Sequence, residues 1–286
     1  MKPNFHLEAD LVDNSDFFTD PFFRRFKLRS APTPLKLKEG LFRNYLFPTF
    51  YGDVTCAIAI FMCDYNRAKA MMPHPSMTPV RMPRGRTVVV FSCYEYRNVM
   101  NLSPYNEIAM TIPVMVNSCF SPPVLPLLIN FKKKGYYVFS MPVTSLENQI
   151  RGIKIWDLPK VVEEIDISTS GNYYTTVAKD KDGEVYFELS IPKLGRPRHF
   201  DETSFLYNIN NSNLQKSQMS FIGNFNMNSN FSLLWNKGIK TDTSVLKLGD
   251  SPRAAALTEL QIEQIPFQTR FANSMNSCLD LPLKSG

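Results

Sequence analysis

The order of apolar and polar positions along this chain is typical of β-strands over most of its length. Runs rich in β-branched and aromatic side chains are bounded by Gly, Pro, Asn and Asp, which favours strands joined by turns. The predicted strands cover residues 53–63, 87–96, 105–114, 136–141, 173–178 and 185–191. A turn at residues 180–183 joins the last two strands into a hairpin.

One of these strands has two faces of different character. Because side chains alternate along a strand, residues 105–114 place a purely apolar set on one face and a mixed set on the other. The apolar set is Ile108, Met110, Ile112 and Val114. The mixed set is Glu107, Ala109 and Thr111. In a closed sheet, small and polar residues beside one carboxylate can line a cavity.

Three helices are predicted between the strands. The first follows Asp64, a plausible N-cap, and stops before Pro73. The second begins at the capping-box spacing of Thr144 and Glu147 and ends before Pro159. The third is predicted near the C-terminus from the nearly helical spacing of Ile262, Phe267, Phe271, Met275 and Leu279.

Many antiparallel strands with a few covering helices predict an α+β, mostly β fold dominated by an antiparallel barrel. Residues 203–235, rich in Asn and Ser, are expected to add one or two strands. Residues 1–45 show no clean period, so we expect an extended arm with short helical turns that packs on the body. No Gly/Ser-rich linker follows the arm, and residues 1–286 are therefore predicted to form a single domain.

The composition excludes several other classes of protein. With 44% hydrophobic and 20% charged residues and no long apolar run, disorder and membrane insertion are not expected. The N-terminus lacks an apolar signal core and the five cysteines form no CxxC pair, so a reduced, cytoplasmic protein is expected. Three scattered histidines leave little for a metal site. The net charge of +6 is dispersed apart from residues 132–134, so no nucleic-acid partner is expected.

The common nucleotide, zinc-protease and hydrolase motifs are absent, and one lysine stands out instead. The residues around Lys160 are mostly apolar: Ile155, Trp156, Leu158, Pro159, Val161 and Val162. Burial of a lysine among such residues disfavours its charged form and lowers its pKa. A neutral amine can attack a carbonyl carbon and form a Schiff base. The alternative is that Lys160 begins an exposed strand edge, since lysines are rarely buried.

Two segments resemble the acetoacetate decarboxylase family. Residues 152–160, with Trp156 and a final Pro-Lys pair, are similar to the family's lysine motif. Residues 105–114, which carry Glu107 and an Ile-Pro-Val run, are similar to its glutamate-bearing strand, and the two segments occur in the matching order. Weaker similarity extends the resemblance to roughly residues 50–280.

The resemblance implies a cone-like antiparallel β-barrel that encloses an active site and assembles into homo-oligomers. It places Lys160 at the Schiff-base position and Glu107 at the position of the active-site carboxylate. The implied enzyme is a carbon–carbon lyase that decarboxylates a 3-oxo acid such as acetoacetate through a lysine imine. Because the protonated imine is the electron sink, no metal or organic cofactor is implied.

The chain also departs from the family's pattern. Acetoacetate decarboxylases have a second lysine after the reactive one, whereas this chain has Val161. A lowered pKa at Lys160 then requires burial, Lys154, or an arginine brought close by folding. The candidates to bind a substrate are Arg97, Arg151 and Lys154 for its carboxylate and Tyr105 and Trp156 for its remaining surface.

These departures leave two further functions open. The first is an imine-forming aldolase or dehydratase that acts on 2-oxo acids without loss of CO2. The second is a barrel that binds a small apolar or acidic ligand without turning it over. If Lys160 points into bulk solvent or lies far from Glu107, the catalytic hypotheses fail.

Overall fold

Strands account for most of the structure, a computed structural model that describes residues 1–118, 123–124, 134–210, 213–242 and 244–283. In chain order the strands are β1 (Arg29–Ser30), β2 (Leu35–Lys38), β3 (Leu41–Arg43), β4 (Leu46–Phe47), β5 (Thr49–Asp64), β6 (Met77–Pro79), β7 (Arg86–Val99), β8 (Tyr105–Val116), β9 (Lys134–Val143), β10 (Lys160–Val162), β11 (Glu164–Ser170), β12 (Tyr173–Lys179), β13 (Val185–Pro192), β14 (Arg196–Asn210), β15 (Asn213–Ser229), β16 (Leu246–Leu248) and β17 (Pro266–Leu283). The described α-helices are α1 (Tyr65–Ala70), α2 (Leu146–Trp156) and α3 (Ala255–Glu259).

Seven of these strands close into a barrel, in the order β5, β7, β8, β9, β14, β15 and β17, with β17 paired back to β5. Strands of alternating direction cannot close a ring of seven without one parallel pair. That pair is β9 with β14, where Leu206 and Tyr207 lie opposite Tyr136 and Tyr137. The predicted mostly β, α+β fold, with an antiparallel barrel and few helices, is confirmed apart from this one parallel joint.

A second, four-stranded sheet of β11, β12, β13 and β16 covers one wall of the barrel. The two faces of β8 divide as the alternation predicts. Ile108 and Met110 join a core that also contains Phe187 of β13, between the two sheets. Tyr105 and Ala109 join a different core, which includes the side chains inside the barrel. Glu107 shares this second face and therefore points inward.

The first two predicted helices form. The predicted N-cap of the first is correct, and that of the second is displaced by one residue. The carboxylate of Asp64 accepts hydrogen bonds from the backbone N–H groups of Asn66 and Arg67, at 2.9 and 3.0 Å, so the predicted cap of α1 is confirmed. The predicted capping box of α2 is wrong by one residue. Its cap is Ser145, whose hydroxyl accepts from the backbone N–H of Asn148 at 3.3 Å.

The predicted C-terminal helix is wrong, because residues 266–283 form the long barrel strand β17. A spacing of four residues fits one turn of a helix and also every second inward position of a strand. Irregular pairing on both sides of β17 shifts its register and disturbs the alternation by which a strand is recognised.

The N-terminal segment, residues 1–45, packs on the barrel through aromatic residues. Phe18, Phe22 and Phe23 form a cluster with Phe50 of β5 and with Met100. The Asn-rich residues 203–235 contribute to the long hairpin of β14 and β15, in agreement with the predicted strands.

Other expectations reach partly beyond the described residues. Of residues 132–134, only Lys134 is described, and it begins β9. Cys119 also lies outside the described residues, whereas Cys56, Cys63, Cys93 and Cys278 are buried free thiols. No helix among the described residues is long and apolar enough to cross a membrane.

Candidate active site

Two charged side chains meet where β10 pairs with β9, the barrel strand that also pairs with β8. Lys160 begins β10 and lies opposite Met141 of β9, while Glu107 lies on β8 opposite Val143 of β9. The Lys160 Nζ donates a hydrogen bond to the Glu107 Oε2 at 2.5 Å. Their side chains are 5% and 6% exposed, so Lys160 does not stand at an exposed strand edge.

Helix α2 leaves room for the lysine at one position. A Cβ atom on Gly152 would lie 2.3 Å from Cδ and 2.7 Å from Cε of Lys160, closer than atoms can approach. Glycine at 152 therefore allows the lysine stem to cross the helix. The left-handed backbone of Asp157, with φ of 51°, ends α2, and Pro159 then precedes β10.

The surroundings of Lys160 lower the pKa of its amine. Burial is the largest cause, because it disfavours the charged ammonium form. The negative charge of Glu107 opposes this effect, whereas the positive charge of Arg151 adds to it. The second cation beside the amine is therefore an arginine of α2, one of the sources that the sequence left open.

Arg151 is buried without a carboxylate partner among the described residues. One of its terminal nitrogens donates to the Thr49 hydroxyl at 2.8 Å and the other to the Asn148 side-chain oxygen at 3.4 Å. Its guanidinium carbon lies 4.3 Å from the ring centroid of Tyr45. The Nε atom has no hydrogen-bond partner in the described part of the chain. Arg151 thus retains both a positive charge and an unused donor.

Four tyrosine rings pack around the ion pair. The ring centroid of Tyr96 lies 4.7 Å from that of Tyr51, 4.8 Å from that of Tyr105 and 5.2 Å from that of Tyr94. The Tyr96 hydroxyl donates to the Glu107 Oε1 at 3.3 Å. Burial raises the pKa of Tyr51 to about 12, and it also raises the pKa values of Tyr94, Tyr96 and Tyr105 well above the usual value for tyrosine. All four phenols therefore stay protonated at neutral pH and can donate hydrogen bonds.

Two other predicted substrate residues lie beside these groups. The Nζ of Lys160 is 5.8 Å from the ring centroid of Tyr105, which places this tyrosine at the amine. Trp156 is buried, and its indole N–H donates to the backbone oxygen of Asp280 at 2.8 Å. Its ring packs 5.9 Å from that of Phe47 and 5.8 Å from the guanidinium carbon of Arg151, so Trp156 supports this arginine.

Two of the candidate carboxylate-binding residues, Arg97 and Lys154, lie away from the ion pair of Lys160 and Glu107. Arg97 follows Tyr96 on β7 and so points to the opposite face, where it donates to both oxygens of Asp53 at 2.8 and 3.0 Å. Lys154 lies on the exposed side of α2, and its Nζ donates to the Lys36 backbone oxygen at 2.6 Å. Both side chains already have partners outside the barrel.

Sequence reasoning missed Thr49 and Tyr51 of β5 and Asn148 of α2. By their spacing in α2, Leu146, Ile150 and Ile153 share one apolar helical face that is expected to point inward, but Ile153 is 44% exposed. The helix instead buries the polar side chains of Glu147, Asn148 and Arg151. Polar residues at helical spacing directly before the lysine motif were the available signal. The described residues contain no cluster of His, Cys, Asp and Glu able to hold a metal ion.

Comparison with known proteins gives this arrangement a family. The sequence model of the acetoacetate decarboxylase family matches residues 31–216, which is more than half of the chain and includes Glu107 and Lys160. The chain belongs to the acetoacetate decarboxylase family. No curated protein matched the sequence.

Solved structures show the same fold at low sequence identity. An acetoacetate decarboxylase from Legionella pneumophila subsp. pneumophila str. Philadelphia 1 is 16% identical and superposes with a TM-score of 0.59, over 96% of this chain and 97% of that one. Another acetoacetate decarboxylase is 11% identical, with a TM-score of 0.55 over 82% and 87% of the two chains. The enduracididine biosynthesis enzyme MppR, in complex with pyruvate, is 11% identical, with a TM-score of 0.54 over 82% and 90%.

Proposed function

We propose that this member of the acetoacetate decarboxylase family is a lyase that forms an imine between Lys160 and a small oxo acid. The observation that carries the proposal is a buried lysine in contact with one carboxylate, beside an arginine that has no carboxylate partner among the described residues. Stability alone does not account for a buried lysine, because burying its charge costs free energy. Perturbed ionisable groups that converge inside a barrel are typical of active sites.

The reaction follows from a neutral amine in this position. The Lys160 nitrogen attacks the ketone carbon of the oxo acid, and loss of water with uptake of one proton, passed on by Glu107, gives a protonated imine. The bond to the carboxylate then breaks, its electron pair moves toward the imine nitrogen, and CO2 leaves an enamine. Protonation of the enamine carbon and hydrolysis of the imine release the ketone and restore the lysine.

Each neighbouring group has a role in this scheme. Glu107 can move protons between the amine and the carbinol oxygen, since it lies within hydrogen-bond distance of the Lys160 Nζ. Arg151 can bind an anionic group of the substrate through its unused Nε. The protonated phenol of Tyr105 lies beside the amine, where it can contact the substrate.

Borohydride trapping tests this proposal directly. Pyruvate or acetoacetate with borohydride should leave one reduced adduct on Lys160, located by peptide mass spectrometry. Lys160→Ala should give no adduct, whereas Lys154→Ala, which removes an exposed lysine of α2, should react like the unsubstituted protein. Equal labelling of many surface lysines, or no adduct across a broad panel of oxo acids, would contradict the proposal.

One observation favours a second reaction, in which the imine forms but CO2 is retained. An arginine bound to the carboxylate stabilises the charged ground state and so opposes loss of CO2. Val161 is uncharged, so this chain has no second cation at the position that acetoacetate decarboxylases fill with lysine. An aldolase or dehydratase acting on a 2-oxo acid would use Arg151 in this way.

The mass of the trapped adduct separates the two reactions. Decarboxylation of acetoacetate before reduction leaves an adduct without its carboxyl group, and CO2 is released in step with substrate loss. An adduct that keeps its carboxyl group, formed without CO2 release, would select the second reaction. The homo-oligomer and the cytoplasmic location implied by the sequence stay predictions.

A further inference from the structure

The N-terminal segment reaches the helix that carries Arg151. Arg43, at the end of β3, donates through a terminal nitrogen to the Glu147 Oε1 at 2.7 Å. The two side chains are only 4% and 5% exposed. The hydroxyl of Tyr45 donates to the same Glu147 oxygen, and the other terminal nitrogen of Arg43 donates to the backbone oxygen of Glu8. One carboxylate of α2 is therefore bound by two donors of the N-terminal segment.

Glu147 and Arg151 are four residues apart on α2. A glutamate and an arginine at this spacing lie on the same helix face and ordinarily attract each other. Both also touch Tyr45, Glu147 at its hydroxyl and Arg151 at its ring face. In this structure Glu147 pairs with Arg43 instead, and Arg151 has no carboxylate partner among the described residues. The carboxylate of Glu147 is therefore paired with Arg43 and not with Arg151.

We infer that Arg43 is a positioning residue, which binds Glu147 so that Arg151 is left free to bind the carboxylate of an oxo acid. The inference rests on the proposed function. A carboxylate attached to the same helix would compete with substrate at a high effective concentration. The charged and titratable groups around Arg151 are Glu147 on its own helix and Arg43, Tyr45, Tyr51, Tyr105, Glu107 and Lys160 on other elements.

The test compares the two ways of breaking the Arg43–Glu147 pair. Arg43→Gln leaves a free carboxylate that can reach Arg151, and half-saturating pyruvate for adduct formation should rise about tenfold. Glu147→Gln breaks the same pair but leaves no carboxylate, so half-saturation should change by less than about twofold. The double variant should recover the affinity that Arg43→Gln loses. Maximal adduct at saturating pyruvate should be the same in all three.

Two further variants serve as controls. One breaks another ion pair of the N-terminal segment, and the other is used if Arg43→Gln does not fold. Arg25→Gln breaks a different ion pair between the N-terminal segment and the barrel, to Asp201, and should leave half-saturation unchanged. Tyr45→Phe removes only one donor from Glu147 and should raise half-saturation a few-fold. If thermal melting shows that Arg43→Gln does not fold, Tyr45→Phe tests the inference in its place, because it also removes a hydrogen bond from Glu147. Equal losses for Arg43→Gln and Glu147→Gln, or no recovery in the double variant, would overturn the inference.

A measurement without oxo acid separates this inference from the proposed function. The rate at which acetic anhydride acetylates Lys160, measured against pH, reports the pKa of the amine. Neutralising Arg151 with Glu147 should move the midpoint to higher pH in Arg43→Gln and return it in the double variant. If no protein variant traps pyruvate, the proposed function fails, and these midpoints alone decide the inference. Unchanged midpoints would then reject it.

Discussion

Two arginines of this protein are equally buried, and their surroundings differ in a way that assigns them different tasks. Arg86 and Arg151 each expose 1% of their surface. Arg86 donates to both oxygens of Glu263 at 3.1 and 3.3 Å and to four backbone oxygens. Arg151 has a hydroxyl, an amide oxygen and an aromatic ring as neighbours, and its Nε is unpaired within the described residues.

The comparison teaches how to separate a structural charge from a functional one. Arg86 ties the start of β7 to the turns around residues 83, 234 and 263, and all its nitrogens have partners. A buried cation with its hydrogen bonds complete contributes to folding and has nothing left for a ligand. Arg151 leaves part of its capacity unused in the interior, which costs stability unless an anion binds.

The largest expected effect is on stability, at Arg86. Arg86→Met should lower the free energy of unfolding by about 3–5 kcal/mol, because it leaves Glu263 and several backbone oxygens in the interior without their hydrogen-bond donor. Arg151→Met, the matched substitution, should change it by less than about 1 kcal/mol, because no carboxylate is left behind. Urea unfolding followed by circular dichroism measures both. Equal losses would show that Arg151 is also a structural residue.

The next effect is on binding, and here the order of the two arginines reverses. Arg151→Met should raise the half-saturating pyruvate for borohydride trapping about tenfold to a hundredfold, the range for a lost hydrogen bond to a charged group. A folded conservative variant at the other site, Arg86→Lys, should keep the unsubstituted value. If Arg151→Met binds pyruvate normally, the substrate carboxylate lies elsewhere.

The smallest effect is a shift in pH dependence. Only the neutral amine attacks a carbonyl, so the rate of trapping at limiting pyruvate, which reports on the free protein, should rise with pH and level off above the pKa of Lys160. Burial and Arg151 lower that pKa, so the midpoint should lie below the usual value for lysine. Arg151→Met removes the cation and should move the midpoint to higher pH. A midpoint that stays in place would show that burial alone sets this pKa.

The strand pattern and the lysine motif were readable from sequence because each depends on neighbours in the chain. The alternation around Glu107 predicted which face of β8 points inward. The apolar residues around Lys160 left both burial and an exposed strand edge open, and the resemblance to the family's lysine motif favoured burial. The predicted C-terminal helix failed because a repeat of four residues suits a helix and a bulged strand equally well.

The partners of Arg151 were not readable, because they come from distant parts of the chain. Thr49 precedes it by more than a hundred residues, and Arg43 reaches Glu147 across a similar distance. Arg97 and Lys154 had the right charge, but strand alternation turns one outward and the helix surface exposes the other. Charge identifies candidates in a sequence, and only the fold can show which of them have lost their solvent.

The parallel joint between β9 and β14 has a topological consequence. A hairpin can connect only antiparallel neighbours, so parallel neighbours need a long crossover that carries the chain back along the barrel. Here the crossover is residues 144–195, and it contains α2, β10 and three strands of the covering sheet. Lys160 and Arg151 both lie on it. An even-numbered ring closed by hairpins would have no such return segment, so the odd strand count gives this barrel the piece of chain that brings its amine to Glu107.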